Sequence, residues 1–86
     1  MIKEIVLSVI ESERNYQENM MSKVDRSDMI ELSLGDTLSA ISYNLGQANA
    51  SWYKDSTSCE NTIRFLRKIA ALAVQAGEKY GMPSRN

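Results

Sequence analysis

The sequence predicts an all-α fold of three helices, at about 2–20, 34–54 and 58–80. Three observations lead there. Leu34, Leu38, Ile41, Leu45, Ala48 and Trp52 recur at alternating intervals of four and three, the spacing of one helix face. A second helical run ends at Gly81 and Pro83, residues that stop helices. No segment alternates apolar and polar residues as a half-buried strand would.

Helix one opens apolar. Ile2, Ile5, Val6, Val9 and Ile10 share a stripe that Leu7 widens, and these first residues are expected in the core. At Ile10 the chain turns polar, "IESERNYQENM", and only Tyr16 and Met20 continue the stripe. Glu11, Arg14 and Glu18 have the spacing of a charge ladder on a solvated face. Residues 21–33 read as a connection, because Asp25, Ser27, Asp28 and Ser33 compete with helix for backbone hydrogen bonds. Ser33 with Asp36 has capping-box spacing immediately before the stripe of helix two, so Ser33 is the expected N-cap. Asp28 with Glu31 is the alternative box.

Beside its apolar stripe, helix two carries a row of small residues, Gly35, Ser39, Ser42, Gly46 and Asn49, and no charge between Asp36 and Lys54. Either the helix is sandwiched between neighbours of its own domain, or this row lies in a subunit interface. Residues 54–59 form a turn in which Thr57 and Glu60 make a further capping box. On helix three, Cys59, Ile63, Leu66, Ala70, Ala73 and Gly77 form one row, and Phe65, Ile69, Leu72 and Ala76 another. A helix apolar over this much of its circumference belongs at the centre. Helices two and three are expected to pair as an antiparallel hairpin within a single domain, 1–86. A core this small is commonly supplemented by partner subunits, so a homo-oligomeric bundle is the expected assembly.

Composition narrows the function. The 86 residues are 43% hydrophobic and 24% charged with a net charge of −1, which argues against duplex nucleic acid or anionic lipid as the main partner. The single cysteine, Cys59, excludes an internal disulfide framework and fits a reducing cytoplasm. Without histidine there is no imidazole catalysis and no His- or Cys-cluster zinc site. Lys3 and Glu4 interrupt the apolar start, and no small-residue cleavage site follows, so neither a signal peptide nor a membrane span is expected.

Metal-assisted hydrolysis needs carboxylates on facing helices. Glu11 and Glu18 share a face of helix one, but helix two has no acid between Asp36 and Asp55, and helix three has only Glu60 and Glu78 at its ends. No catalytic residue, metal ligand or cofactor is assigned. Arg64, Arg67 and Lys68, at i, i+3 and i+4, form the compact cationic patch, with no acid between Glu60 and Glu78 to pair them along the helix. Arginine offers a planar fork that suits phosphate. Arg14, Lys23 and Arg26 are placed to extend the patch, and Tyr16 and Tyr53 to stack on a base. Trp52 continues the stripe of helix two and is expected in the core. Cys59 stands beside a helix start, where thiolate character is favoured, yet has no histidine to activate it.

Three stretches, "ESERNYQ", "SLGDTLSAISYNLGQANASWYKD" and "LRKIAALAVQAGEKYGMPSR", resemble a group of small proteins encoded by tailed bacteriophages. The shared pattern is a Glu-Arg-x-Tyr-Gln-like element, a helix ending in Ala-x-x-x-Trp, and a last helix that closes near Gly-x-Pro. Those proteins are in turn similar to the MazG-like all-α nucleotide pyrophosphohydrolases, whose Glu-Glu-x-x-Glu and Glu-x-x-Asp motifs hold Mg²⁺. Neither motif occurs here, and helix three reads "RKIAALA" where an acidic motif would be sought. The resemblance implies the helical scaffold and a bacterial host cytoplasm. The sequence-level expectation is a non-catalytic, homo-oligomeric accessory protein that binds or sequesters a negatively charged nucleotide, with a counter-defence role. The alternatives are docking on a host protein through a helical face, and a residual Mg²⁺-dependent nucleotide pyrophosphohydrolase.

Overall fold

A computed structural model of the chain describes residues 2–23, 33–54 and 59–85, with side chains omitted at 21–23. It contains three α-helices, α1 Lys3–Lys23, α2 Leu34–Lys54 and α3 Cys59–Tyr80, and no strand among the described residues. Helix α1 runs one turn past its expected end, since no glycine or proline interrupts it before Lys23. The Asp28–Glu31 and Thr57–Glu60 boxes, Asp25, Ser27 and Arg26 lie at or across residues outside those described, as does the side chain of Lys23.

The cap that starts α2 is the expected one. Ser33 Oγ accepts from the Asp36 backbone N–H at 3.1 Å, while the Ser33 N–H donates to Asp36 Oδ2 at 3.1 Å. Each side chain thereby satisfies a backbone donor that the first turn leaves without a helical partner. Thr37 adds a hydroxyl bond to the Ser33 carbonyl at 3.2 Å. At the far end of α3, Gly81 takes φ of +81° and its N–H reaches the Gly77 carbonyl at 2.9 Å. That is a left-handed C-terminal cap, a conformation glycine adopts without the strain a Cβ brings. Met82 then folds back over Gly77, so close that a Cβ there would lie 3.0 Å from Met82 Cε.

Helices α2 and α3 pack closely, and Lys79 in the last turn of α3 acts electrostatically on Asp36 in the first turn of α2. The start of one helix thus lies beside the end of the other, as in an antiparallel pair. Among the described residues, helix α1 packs on α3, and no Cα of α1 comes within 8 Å of α2. The central position expected for α3 is realised.

Which faces are buried departs from the periodicity. The residues of α2 covered by α3 are Thr37, Ala40, Ile41, Asn44, Ala48 and Ser51. This row is mostly small and is turned roughly 70° around the helix from the apolar stripe, at about 100° per residue. Small side chains let the two backbones approach closely, and Asn44 is accommodated by donating to the Ala40 carbonyl at 2.8 Å. Leu34, Leu38, Leu45 and Trp52 are left exposed on the flank, so the expected core position of Trp52 is not realised.

A larger reversal occurs in α1. Its apolar start was expected in the core, but Ile2, Ile5, Val6, Leu7 and Val9 are exposed and Ile10 is half-buried. The polar half makes the contact instead: Glu13 is only 8% exposed, and Arg14 and Gln17 are part-covered. The reason is the crossing of the two helices. Helix α1 meets α3 near residues 13–17, and its first turns lie beside a part of α3 where Ile63 and Leu66 are themselves exposed. Buried apolar residues among those described are few, Ala48, Ala71 and Leu72, with no large side chain fully buried.

Two measurements follow from the cap. Ser33→Ala should cost about 1 kcal/mol of stability by urea unfolding. The Asp36 carboxyl titrates below its ordinary 3.8, held down first by the Ser33 backbone N–H, then by the Ser33 hydroxyl, and least by Lys79. A carboxyl depressed on folding contributes stability above its unfolded pKa and loses it as pH falls through the folded value. Stability should therefore decline as pH drops below about 4, and Asp36→Asn should flatten that decline.

Candidate functional site

Of the six candidate binding residues, three converge. Tyr16, Arg67 and Lys68 line a pocket of about 400 Å³ between α1 and α3, together with Ser12 and Glu13. Tyr16 is an exposed residue of α1, while Arg67 and Lys68 follow one another on α3. Lys68 Nζ lies 5.3 Å from the centroid of the Phe65 ring, a favourable position for a cation over an aromatic face. It has no carboxylate partner among the described residues.

The other three lie elsewhere. Arg64 points to a separate cleft and pairs with Glu60 at 2.8 Å. Arg14 is turned away toward the end of α3, where its Nε and a terminal nitrogen hold the two oxygens of Glu78 at 3.0 and 3.2 Å. Its other terminal nitrogen is 3.8 Å from Glu18, the part of the expected ladder that forms. Tyr53, at the end of α2, is 84% exposed and does not line the pocket. The small residues of the expected interface row, Gly35, Ser39, Ser42, Gly46 and Asn49, are all exposed on α2.

The charge imbalance read along α3 is reduced by the fold, which pairs both arginines and leaves Lys68. Glu60 takes Arg64 one turn away, and Glu13 takes Arg67 across the helix seam, with Nε 2.7 Å from Oε1. Glu13 is the residue that sequence reasoning undervalued. It continues the row Val6, Ile10, Glu13, Gln17, so it faces α3 where an apolar residue would be expected. A carboxylate in a packing stripe needs a buried partner, and that was the available signal. Gln17 follows it, donating at 3.5 Å to the Lys68 carbonyl, while its own Oε1 is buried without a hydrogen-bond partner among the described residues.

The site can therefore offer an ammonium, a guanidinium with its Nε already engaged, a carboxylate, a hydroxyl and an aromatic face. Among the described residues, no three Asp, Glu or Cys side chains gather as metal ligands would. No described helix is long and apolar enough to cross a membrane. Cys59, the first residue of α3, is exposed and unpaired. No family model, curated protein or solved structure matches this chain.

The seam is open to a direct test. Arg67→Ala leaves the covered Glu13 carboxylate without its donor, and should cost about 2 kcal/mol in chemical unfolding. A double-mutant cycle with Glu13→Ala should return a coupling energy above roughly 1 kcal/mol, whereas the exposed Arg64–Glu60 pair should return about 0.5 kcal/mol or less.

Proposed function

We propose that this chain is a non-catalytic, homo-oligomeric binding protein that holds a negatively charged nucleotide-type ligand between α1 and α3. The observation that supports this reading is the convergence of Tyr16, Arg67 and Lys68, from two helices, on one pocket. An aromatic ring beside two cations is the donor set that a base and its phosphate require. Lys68 supplies a charge that no neighbouring carboxylate takes among the described residues. Arg67 keeps its terminal nitrogens available, because Glu13 occupies only Nε. Glu13 and Ser12 give the ligand's polar end something to meet: a carboxylate and a hydroxyl accept from an exocyclic amine or a ribose hydroxyl. The resemblance to small tailed-bacteriophage proteins supplies a setting, the sequestration of a nucleotide used as a signal by host defence.

A second reading, docking on a host protein, is favoured by one observation. The uncharged face of α2 is uncovered along its length, with Leu38 and Tyr43 exposed beside the small-residue row.

The ligand reading is tested by melting the protein against a panel of mononucleotides and dinucleotides. At least one member should raise the melting temperature by several degrees at saturating concentration. Lys68→Glu and Tyr16→Ala, both outside the core, should each remove the shift. A panel without any shift, or a shift that survives both substitutions, would overturn the assignment.

A further inference from the structure

Two openings flank Arg67. One is an apolar cleft of about 480 Å³ between the first turns of α1 and the first half of α3, where Val6, Val9, Ile63 and Leu66 face one another. The other is the pocket of Tyr16 and Lys68, and its polar groups are sorted by helix. Those from α3, Arg67 and Lys68, are donors. Those from α1 include two acceptors, Ser12 and Glu13, and the bonds each already makes give it that character.

Ser12 Oγ donates its proton to the Val9 carbonyl at 2.7 Å. A hydroxyl has one proton to give, so toward the pocket Ser12 presents lone pairs alone. Glu13 is a carboxylate that accepts from Arg67 Nε at 2.7 Å. A carboxylate only accepts, and this bond uses one of its roughly four lone-pair directions. Glu13 is also 8% exposed, so water does not freely replace a partner lost there. Tyr16 follows Glu13 by three positions and Ser12 by four, which makes the three side chains neighbours on one helix surface. The aromatic face and both acceptors therefore belong to one wall, and both cations to the other.

We infer that this pocket selects nucleotides by the exocyclic amine of the base, taking adenine or cytosine in preference to their oxo counterparts. This rests on the nucleotide reading above and names the class of base. A base stacked on Tyr16 has Ser12 and Glu13 at its edge, while its phosphate reaches across to Arg67 and Lys68. An amine brings two protons on one nitrogen, one for each acceptor. An oxo base sets carbonyl lone pairs against those of Ser12 and Glu13, and keeps a single ring N–H beside them. A site furnished to accept hydrogen bonds discriminates against a ligand that cannot donate them, because its own groups are left unpaired. Ser12 and Glu13 are thus the specificity residues, whereas Lys68 and Tyr16 hold parts that every nucleotide shares.

The test is isothermal titration of the full chain with two matched pairs: adenosine against inosine 5′-monophosphate, and cytidine against uridine 5′-monophosphate. Sugar and phosphate are identical within a pair, so the contribution of Arg67 and Lys68 cancels. The amino member should bind about tenfold more tightly in each pair. Ser12→Ala, at an exposed position, should shrink that ratio severalfold. Glu13→Gln keeps a carbonyl for Arg67 Nε and offers an amide N–H to the ligand, so it should erase or reverse the preference. Circular dichroism checks that both variants keep wild-type helicity. Equal or reversed affinities in the wild type, or no binding by any of the four, would overturn the inference. A preference unchanged in both folded variants would overturn the roles of Ser12 and Glu13. The nucleotide reading is scored separately, on the wider panel and through Tyr16 and Lys68, and falls only if that panel fails.

Discussion

Glu13 and Arg67 fix how the first helix sits, and most of what is unusual in this protein follows from their contact. The pair is short, 2.7 Å, and Glu13 is nearly covered. A carboxylate withdrawn from water in this way must keep its donor, because the cost of leaving it unpaired exceeds what a typical contact contributes. Helix α1 is therefore registered on α3 by a polar contact at its middle, not by its apolar first turns. Those turns lie beside Ile63 and Leu66 without closing on them, and the cleft is the result.

The same contact shapes the candidate pocket. On one side of Arg67 lies the apolar cleft, and on the other the small polar cavity with Tyr16 and Lys68. One guanidinium thus borders both surfaces. Its partner Glu13 engages Nε at 2.7 Å. A guanidinium already held by one partner has less side-chain entropy left to lose than a free one. Helix α3 plays a comparable double role in the fold: its small residues admit α2 closely on one side, and its polar middle receives α1 on the other.

Local features were legible in the sequence, and long-range ones were not. The Ser33–Asp36 box, the Gly81 stop and the extents of α2 and α3 depend on residues within one or two turns of each other, where spacing alone carries the geometry. The convergence of Tyr16 with Arg67 and Lys68 was anticipated only as a grouping of residue types. Choosing which face packs is a different problem. The stripe of Leu34, Leu38, Leu45 and Trp52 states that a face wants cover, not that α3 provides it, and close approach selected the smaller row through Ala48 instead. Glu13 and Arg67 are separated by 54 positions, beyond any rule of helical spacing. The pairing of Arg67 was hidden for that reason.

The absence of contact between α1 and α2 has a dynamic meaning. Among the described residues, removing α1 from its seat breaks its seam with α3 and leaves the α2–α3 pair, with the Ser33 cap and the Gly81 stop, in place. In the language of hydrogen exchange, that arrangement leads one to expect two units of unequal protection, with the amides of α1 in the more readily opened one. The pocket and the cleft both lie on the boundary between those units. An occupant of either one, contacting both helices, would favour the closed form and slow the exchange of a whole helix from a single seam.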